Sequence, residues 1–358
     1  MIHALVFLAG VLFIGYQAYR IAKARPDGTL AKIPNSWPPL DEPLPLVTVM
    51  VAAWNAAEDI DRFIGAFLCL SYPRLELVVC AGGSDGTWEH MQLHTEDHIR
   101  AVKQESGEGK QRALAKAFRE SRGSIIFLTD VDCILTDESL MVRLLPILQG
   151  VAAVVTGPYR PLPEQEGQGF VQAQWAAQSA TYPKHRGPTR GLIGANTAIR
   201  RDLIEESGAF SAVAPSGTDY TLAKQLLQRG HQLWFEPEAP IATVYPETVK
   251  AYVRQQARWI RNVVVLGKRY GERSEVRAAA QTMAQPWVLL GCISLGFWHW
   301  EFWVTGALLI MQALGNRLIY LRRAGQHLAP RSALQHFAAD LWAAGSATWR
   351  VVSGQVRW

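Results

Sequence analysis

Apolar and polar residues in the first half of the chain follow two alternating patterns, one typical of buried strands and one of amphipathic helices. Predominantly apolar runs, of the kind found in buried strands, occupy residues 46–52, 75–80 and 124–128. Residues 58–68 and 111–121 instead place their apolar side chains at helical spacing. Strands that alternate with helices in this way form parallel pairs joined by right-handed crossovers. The pattern therefore predicts an α/β fold with a Rossmann-like sheet.

Two further apolar segments are long enough to belong to a membrane, and the first is at the N-terminus. Residues 1–19 carry no Asp, Glu, Lys or Arg, and as a helix they would reach roughly 30 Å, the thickness of a bilayer core. Arg20, Lys23 and Arg25 follow this segment, whereas a cleaved signal peptide carries its positive charge before the apolar stretch. We therefore expect an uncleaved anchor over residues 1–25, with the following domain in the cytosol.

The second apolar segment, residues 283–320, is interrupted by the polar and aromatic residues 298–301 and predicts a hairpin of two short membrane spans. Lys and Arg side chains flank the hairpin and are missing from its tip, which predicts that both of its ends are cytosolic. Two buried helices of a soluble protein are the alternative. The last helix, residues 332–352, carries most of its apolar side chains near one side and is expected to lie along the membrane surface.

The chain of 358 residues is predicted to have five segments. They are an N-terminal anchor (1–25), a Pro-rich linker (26–45), a nucleotide-binding domain (46–265), an amphipathic region with a transmembrane hairpin (266–325), and an interfacial helix with a tail (326–358). The formal net charge is +5, and the basic residues concentrate beside the apolar spans. This placement favours membrane lipids with negative head groups as partners, and nucleic acid is not predicted as a partner.

Residues suited to phosphate and metal chemistry follow two of the predicted strands. Asp130 and Asp132 come directly after residues 124–128, and a glycine-rich loop, residues 81–87, follows residues 75–80. The carboxyl ends of parallel strands line the crevice where open α/β sheets bind ligands. Two carboxylates there can bind Mn²⁺ or Mg²⁺ together with a diphosphate, and glycines let backbone amides approach a phosphate or a base. A solvated turn is the alternative for the Asp pair.

Taken in order, the motifs of the chain resemble those of the inverting family 2 glycosyltransferases with a GT-A fold. The resemblance covers about residues 45–265 and rests on Ala53-Trp54-Asn55, Gly83-Ser84-Asp85-Gly86-Thr87, Gly109-Lys110, Asp130-Val131-Asp132, Gly194-Ala195-Asn196, Thr218-Asp219-Tyr220 and Gln255-Gln256-Ala257-Arg258-Trp259. It implies a GT-A domain for a nucleotide-sugar donor, flanked by N-terminal and C-terminal transmembrane or interfacial helices. The layout is most similar to the ceramide glucosyltransferase and hopanoid-associated branch.

The resemblance also implies a role for three acidic residues. Asp219 is implied to be the general base that takes the proton of the acceptor hydroxyl, although Thr218 stands where the family usually has Glu. Asp132 is implied to bind the metal directly, and Asp130 to face the ribose or the metal. The alternative for Asp219 is an N-cap of the helix that follows it.

The substrate-binding residues that the resemblance implies are Asn55, Gly83, Asp85, Lys110, Asp130, Asn196, Gln255, Arg258 and Trp259. The last three fall at i, i+3 and i+4 and therefore share one helix face, where the family holds the diphosphate and the acceptor. A helix at the membrane interface is the alternative for this face, and a surface lysine is the alternative for Lys110. Cys80 and Ala81 stand where the family often has two acids, so the base of the donor stays open, with UDP as the default.

These expectations lead to one predicted function and three alternatives. We predict an integral membrane enzyme of a bacterial plasma membrane, or an equivalent one, with its catalytic domain in the cytosol. It moves one hexose from UDP-glucose or UDP-galactose to a lipid hydroxyl, with Mn²⁺ or Mg²⁺ as cofactor. The alternatives are an oligomeric polysaccharide synthase of the cellulose or hyaluronan type, a non-catalytic membrane protein that binds nucleotide sugar, and a nucleotidyltransferase. The oligomeric state is left open.

Overall fold

A computed structural model describes residues 2–25, 44–210, 216–327 and 329–354. The predicted linker up to residue 43 and the end of the predicted tail from residue 355 lie outside the described residues. The chain forms two compact units. The sheet unit contains the described residues of 44–163 and 182–244, and the helical unit contains the N-terminal helix, Glu164–Thr181 and the described residues from 245 onward.

The strands all belong to the sheet unit. They are β1 (Val47–Trp54), β2 (Leu75–Gly82), β3 (Ile99–Lys103), β4 (Ile125–Leu128), β5 (Cys133–Ile134), β6 (Val154–Thr156), β7 (Tyr159–Pro161), β8 (Gly187–Thr189), β9 (Thr197–Arg200), β10 (Leu233–Phe235) and β11 (Ile241–Thr243). The large sheet has the order β3-β2-β1-β4-β9-β6-β10-β8, and a small sheet has the order β5-β11-β7.

The helices belong to both units. They are α1 (Ile2–Lys23), α2 (Ala57–Leu68), α3 (Thr87–Gln92), α4 (Gly109–Glu120), α5 (Asp137–Leu148), α6 (Gly169–Ser179), α7 (Arg201–Ser207), α8 (Thr218–Gln228), α9 (Val249–Tyr270), α10 (Arg273–Leu295), α11 (Glu301–Arg323) and α12 (Pro330–Val352). Helices α1, α6 and α9 to α12 lie in the helical unit, and the others lie in the sheet unit.

The predicted parallel half-sheet is present. Strand β1 pairs in parallel with both β2 and β4, and β2 pairs in parallel with β3. The strands β1, β2 and β4 therefore end at the same edge of the sheet, and the residues that follow them are the predicted site residues Asn55, Gly83 and Asp130. The α/β fold class predicted from the hydrophobic pattern is confirmed.

The central strands of the large sheet are buried on both faces, which explains why their residues are predominantly apolar. Val49 and Val51 of β1 belong to one apolar cluster, together with Phe63 of α2. Met50, which points to the opposite face because side chains alternate along a strand, belongs to a second cluster with Leu114 of α4. Helices on both faces of a parallel sheet thus fix the edge where the site residues lie.

The predicted hairpin over residues 283–320 corresponds to α10 and α11, which have 23 residues each. Both helices are longer than the predicted spans because each begins or ends in charged residues, such as Arg273 and Arg323. Among the helices of the described residues, α11 is long and apolar enough to cross a membrane. The N-terminal anchor, predicted over residues 1–25, contains α1, and its insertion in a membrane stays a prediction.

The hairpin exposes large apolar side chains on both helices and at its tip. They are Trp287, Val288, Leu290, Ile293, Leu295, Phe297, Trp298, Trp300, Phe302, Trp303 and Leu309. Soluble monomeric proteins rarely expose extended apolar surface, and such surfaces usually contact lipid or another protein.

Candidate active site

Four charged residues of the sheet unit gather at the edge where the parallel strands end. Lys110, in the first turn of α4, forms an ion pair with Asp130 after β4. Desolvation lowers the pKa of the Lys110 amine, but the charges of Asp130, Asp219 and Asp132 outweigh it and raise this pKa above its ordinary value. We call these four residues the Lys110 cluster. It joins the predicted base, the predicted metal ligands and the lysine that the sequence left ambiguous.

Asp132 is half-buried and lies beside a second carboxylate. Desolvation and the charge of Asp130 raise the pKa of Asp132 to about 6, although Lys110 acts in the opposite direction. Two carboxylates held this close repel each other, and a cation between them would relieve the repulsion. Their oxygens are the ligand type that Mg²⁺ and Mn²⁺ prefer, so the residues fit a divalent ion.

The described residues contain no group of three or more His, Cys, Asp or Glu side chains that could hold a metal ion. Asp130 and Asp132 would therefore need further oxygen ligands from outside this set. Mg²⁺ commonly binds in this way, through one or two carboxylates, water and the phosphates of a substrate.

Asp219 is exposed in the first turn of α8. The cap position of this helix is taken by Gly217, whose φ of 75° lies in the left-handed region. The alternative interpretation of Asp219 as an N-cap is therefore wrong. Gly194 packs against Asp219, because a Cβ atom placed on Gly194 would lie 3.2 Å from the Asp219 Cβ. The glycine of the predicted Gly194-Ala195-Asn196 motif thus leaves room for the candidate base.

Three of the predicted donor-binding residues hold two loops together. The Asn55 Oδ1 accepts a hydrogen bond of 2.8 Å from the Ser84 amide, and Asp85 accepts one of 2.6 Å from the Thr87 hydroxyl and one of 3.1 Å from the first amide of α2. Desolvation opposes ionisation of Asp85, but these hydrogen bonds lower its pKa. Gly83 has a φ of 130° and touches Asn55, so a side chain there would clash. These residues shape the predicted nucleoside loop, and their contact with a donor stays a prediction.

Asn196 lies below the surface rather than in a cleft. It is fully buried, its Nδ2 donates to the Pro158 carbonyl at 2.9 Å, and its Oδ1 accepts from the Arg143 Nε at 3.2 Å. Both ends of the amide are thus used inside the protein, which indicates that Asn196 positions the Gly194 loop rather than binding the donor. The sequence analysis missed Arg143, and the available signal was one Arg among the apolar residues of α5.

Gln255, Arg258 and Trp259 lie in the helical unit, half-buried on α9, at the helical spacing predicted from the sequence. The Thr248 hydroxyl caps this helix by accepting a hydrogen bond of 3.2 Å from the Ala251 amide. Within the part of the chain that the structure describes, the Gln255 and Arg258 side chains have no hydrogen-bond or ion-pair partner. Their polar groups are therefore available to a ligand.

Comparison with known proteins gives a family match over the region that contains the predicted motifs. Residues 44–262 match the family described as "Glycosyltransferase like family 2". The chain belongs to this family. It is 31% identical over 236 residues to the probable glycosyltransferase YdaM of Bacillus subtilis, which covers 61% of this chain and 55% of that protein. It is 25% identical over 198 residues to glycosyltransferase AglE of Haloferax volcanii, which covers 54% of this chain and 64% of that protein.

This family 2 chain is also similar to a polymer-forming relative. It is 20% identical over 261 residues to poly-beta-1,6-N-acetyl-D-glucosamine synthase of Staphylococcus epidermidis, which covers 71% of this chain and 62% of that protein. The family 2 chain thus spans between 55% and 64% of the length of these three relatives. Its own activity, substrates and partners are treated below as proposals.

A solved structure supports the fold of this family 2 chain. Mannosyltransferase PcManGT from Pyrobaculum calidifontis, in complex with GDP-Man and Mn²⁺, superposes with a TM-score of 0.58 at 20% sequence identity. The match covers 90% of this chain and 95% of that one. The predicted GT-A fold and the predicted family are confirmed. The assignment to the ceramide glucosyltransferase and hopanoid-associated branch stays a prediction.

Proposed function

We propose that this family 2 glycosyltransferase transfers a single hexose, with inversion, from a nucleotide diphosphate sugar to the hydroxyl of a membrane lipid. The Lys110 cluster is the observation that carries the proposal. It combines a candidate base, two candidate metal ligands and a cation at the edge of the sheet where α/β proteins bind nucleotides.

The leaving group of this reaction is a nucleoside diphosphate, whose negative charge grows as the bond to the sugar breaks. Asp130 and Asp132 would hold Mn²⁺ or Mg²⁺, which, when bound, offsets the charge of the diphosphate. Lys110 supplies a further positive charge at the same place, and its raised pKa keeps the amine protonated at neutral pH. The Mn²⁺ bound to PcManGT supports a divalent ion here.

The acceptor side of the reaction needs a base. The acceptor oxygen forms a bond to the anomeric carbon while the bond from that carbon to the diphosphate breaks, and the hydroxyl proton passes to a carboxylate. Asp219 is proposed for this role because it is exposed and belongs to the Lys110 cluster. Attack from the side opposite the leaving group inverts the anomeric centre.

For Gln255, Arg258 and Trp259 we propose the role that the family resemblance implies, which is to hold the diphosphate and the acceptor. The unpaired guanidinium of Arg258 supports this role, because Arg binds phosphate oxygens through two parallel hydrogen bonds. UDP-glucose and UDP-galactose are the first donors to test. The GDP-Man bound to PcManGT makes GDP-mannose the third.

The lipid acceptor is supported by the helical unit. The exposed apolar side chains of α10 and α11 and the membrane-spanning length of α11 would hold the enzyme at the bilayer. We therefore propose an integral membrane protein with a cytosolic catalytic domain, similar in layout to the ceramide glucosyltransferase and hopanoid-associated branch.

A polysaccharide synthase is the second candidate. The similarity to poly-beta-1,6-N-acetyl-D-glucosamine synthase favours it, because that relative is a synthase of a polysaccharide. A synthase of this kind would need several copies of this chain to enclose a growing polymer. Its product would lengthen with time, whereas a lipid hexosyltransferase adds one sugar.

The experiment measures UDP or GDP release by the purified full chain with Mn²⁺ and each donor, with and without a total lipid extract. Mass spectrometry of the lipids then identifies the product. Lipid-dependent release with one hexose added to a lipid is the expected result. A lengthening polymer would favour the synthase. Donor binding without release would favour the non-catalytic alternative. Absence of both release and donor binding would contradict every function that uses a nucleotide sugar.

A further inference from the structure

The helical unit contains a buried polar cluster that joins three of its helices. Tyr252 comes from α9, Arg317 from α11, and His336 and Asp340 from α12. We call these four residues the Tyr252 cluster. Tyr252 and His336 are almost completely buried, so their polar groups must find partners inside the protein.

The hydrogen bonds of the cluster form a chain in which His336 donates to Tyr252 and Tyr252 donates to Asp340. The Tyr252 hydroxyl donates to Asp340 Oδ1 at 2.6 Å, and Arg317 forms an ion pair with Asp340 Oδ2. His336 Nε2 lies 2.8 Å from the Tyr252 oxygen. Because the single hydroxyl proton of Tyr252 is already donated to Asp340, His336 must donate to Tyr252 through a protonated Nε2.

Burial of His336 supports this assignment. Desolvation lowers the pKa of His336 to about 4, so the imidazole is neutral at pH 7 and carries one proton. That proton is on Nε2, which leaves Nδ1 as a bare acceptor. Nδ1 is buried and has no hydrogen-bond partner, in agreement with a chain that begins at Nε2.

Aromatic packing closes the cluster on its other side. Phe170 of α6 meets the Tyr252 ring edge to face, with 5.6 Å between ring centroids, and meets the His336 ring at 6.3 Å. The Arg317 guanidinium lies 5.0 Å from the centre of the Phe337 ring. The geometry of the cluster is thus fixed both by directional hydrogen bonds and by packing.

The position of Tyr252 gives the cluster a consequence for catalysis. Tyr252 precedes Gln255 by three residues on α9, so the two side chains lie on neighbouring turns of one rigid helix. We propose that the Tyr252 cluster positions the α9 face that carries Gln255, Arg258 and Trp259, and that Tyr252 and Asp340 are positioning residues for sugar transfer. This inference rests on the function proposed above.

The test uses variants that remove one polar group each and keep the shape of the side chain. Tyr252→Phe removes the hydroxyl, and Asp340→Asn removes the charge that Arg317 pairs with. Thr348→Val is the matched control, because Thr348 is also on α12 and bonds to the Met283 carbonyl of α10 at 3.3 Å. Each purified full-length variant is measured for kcat, KM of the donor, Mn²⁺ binding and thermal midpoint.

We expect Tyr252→Phe and Asp340→Asn to lower kcat about tenfold to a hundredfold, the loss typical of misplaced substrate-positioning groups. Binding of Mn²⁺ should not change, and Thr348→Val should retain kcat within about twofold. The loss of kcat in the double variant Tyr252→Phe/Asp340→Asn should be smaller than the product of the two single losses, because both changes act on the contact between Tyr252 and Asp340.

Two results would overturn the inference while the wild type is active. The first is a kcat within about twofold of the wild type in both single variants. The second is a control variant, Thr348→Val, that loses as much kcat as the two single variants at the same decrease in thermal midpoint. A wild type without turnover on any donor and acceptor would instead contradict the proposed function, and the inference would fall with it.

Discussion

At the scale of single residues, the positive charge of Lys110 offsets the repulsion between three nearby carboxylates. Its amine pairs with Asp130 and also feels the charges of Asp132 and Asp219. Without a cation, repulsion would favour protonation of one of these acids. The sequence analysis gave two interpretations of Lys110, a substrate-binding residue and a surface lysine. Its contacts place it in the charged cluster.

Gly194 offers a test of how closely Asp219 must be held. A methyl group on Gly194 would crowd the Asp219 Cβ at 3.2 Å and displace the carboxylate. We expect Gly194→Ala to lower kcat about tenfold to a hundredfold with little change in thermal midpoint. Gly191→Ala is the control, because a Cβ atom there meets nothing within 4 Å. Equal activity of the two variants would show that the contact has no effect on catalysis.

The raised pKa of Asp132 predicts a pH-dependent metal affinity. Its value of about 6 means that a proton competes with Mn²⁺ for the carboxylate below that pH. The affinity for Mn²⁺ should be nearly constant above pH 7 and fall by about tenfold per pH unit well below pH 6. Paramagnetic resonance of free Mn²⁺ between pH 5 and pH 8 measures this directly. An affinity that does not change over this range would contradict the assignment of Asp132 as a ligand.

At the scale of elements, Glu76 joins the strands at the end of the sheet opposite the site. It accepts hydrogen bonds from the Thr48 hydroxyl at 2.5 Å, the Arg122 amide at 2.5 Å and the Arg100 guanidinium at 2.6 Å. Burial opposes ionisation, but these donors lower the pKa of Glu76 overall. The stabilising contribution is therefore complete above the unfolded pKa of about 4.3 and is lost as the pH falls through the lower pKa of the folded state.

We expect Glu76→Gln to destabilise the sheet unit by about 1–3 kcal/mol at pH 7, because charged hydrogen bonds become neutral ones. Thermal unfolding at pH 7 and at pH 3 measures the effect, and the difference between variant and wild type should shrink at pH 3. Glu96→Gln, on an exposed side chain, is the control and should change stability by less than about 0.5 kcal/mol. A pH-independent difference for Glu76→Gln would contradict the charge argument.

Elements that bury a continuous apolar face could be predicted from the sequence, and short or half-exposed ones could not. Strands β1, β2 and β4 match the predicted runs because both of their faces are buried. The sequence analysis predicts neither α3, a helix of six residues, nor β3, an edge strand whose residues are mostly half-exposed. Strands β5, β7 and β11 have only two or three residues and depend on pairing with distant parts of the chain.

The candidate site also contains residues whose role could be predicted from the sequence and residues whose role could not. Residue type and position after a buried strand singled out Asp130 and Asp132, whereas Asp219, in the first turn of α8, was singled out by the family resemblance. Asn196 has an equally suitable side chain, yet it is buried and bonded to Arg143. Burial and pairing arise only when the chain folds, so a single sequence does not distinguish a polar residue that binds a ligand from one that supports a loop.

At the scale of the whole molecule, the exposed apolar side chains of the hairpin predict contact with lipid acyl chains. A Leu309→Cys variant, with Cys69 replaced by Ser, would carry an environment-sensitive fluorophore near the middle of α11. In vesicles we expect a quencher attached to lipid tails to reduce its emission strongly, and aqueous iodide to have little effect. The same fluorophore at Leu93→Cys, which is 80% exposed in the sheet unit, should respond in the opposite way. Iodide quenching at both positions would contradict membrane insertion of the hairpin.

The proposed function depends most directly on Asp219 as the base. The decisive measurement compares single-hexose transfer by the wild type and by Asp219→Asn, which keeps the shape of the side chain but does not accept a proton. We predict that transfer falls at least about a hundredfold, while Mn²⁺ binding and thermal midpoint stay unchanged. Transfer by Asp219→Asn within a few-fold of the wild type would contradict the account.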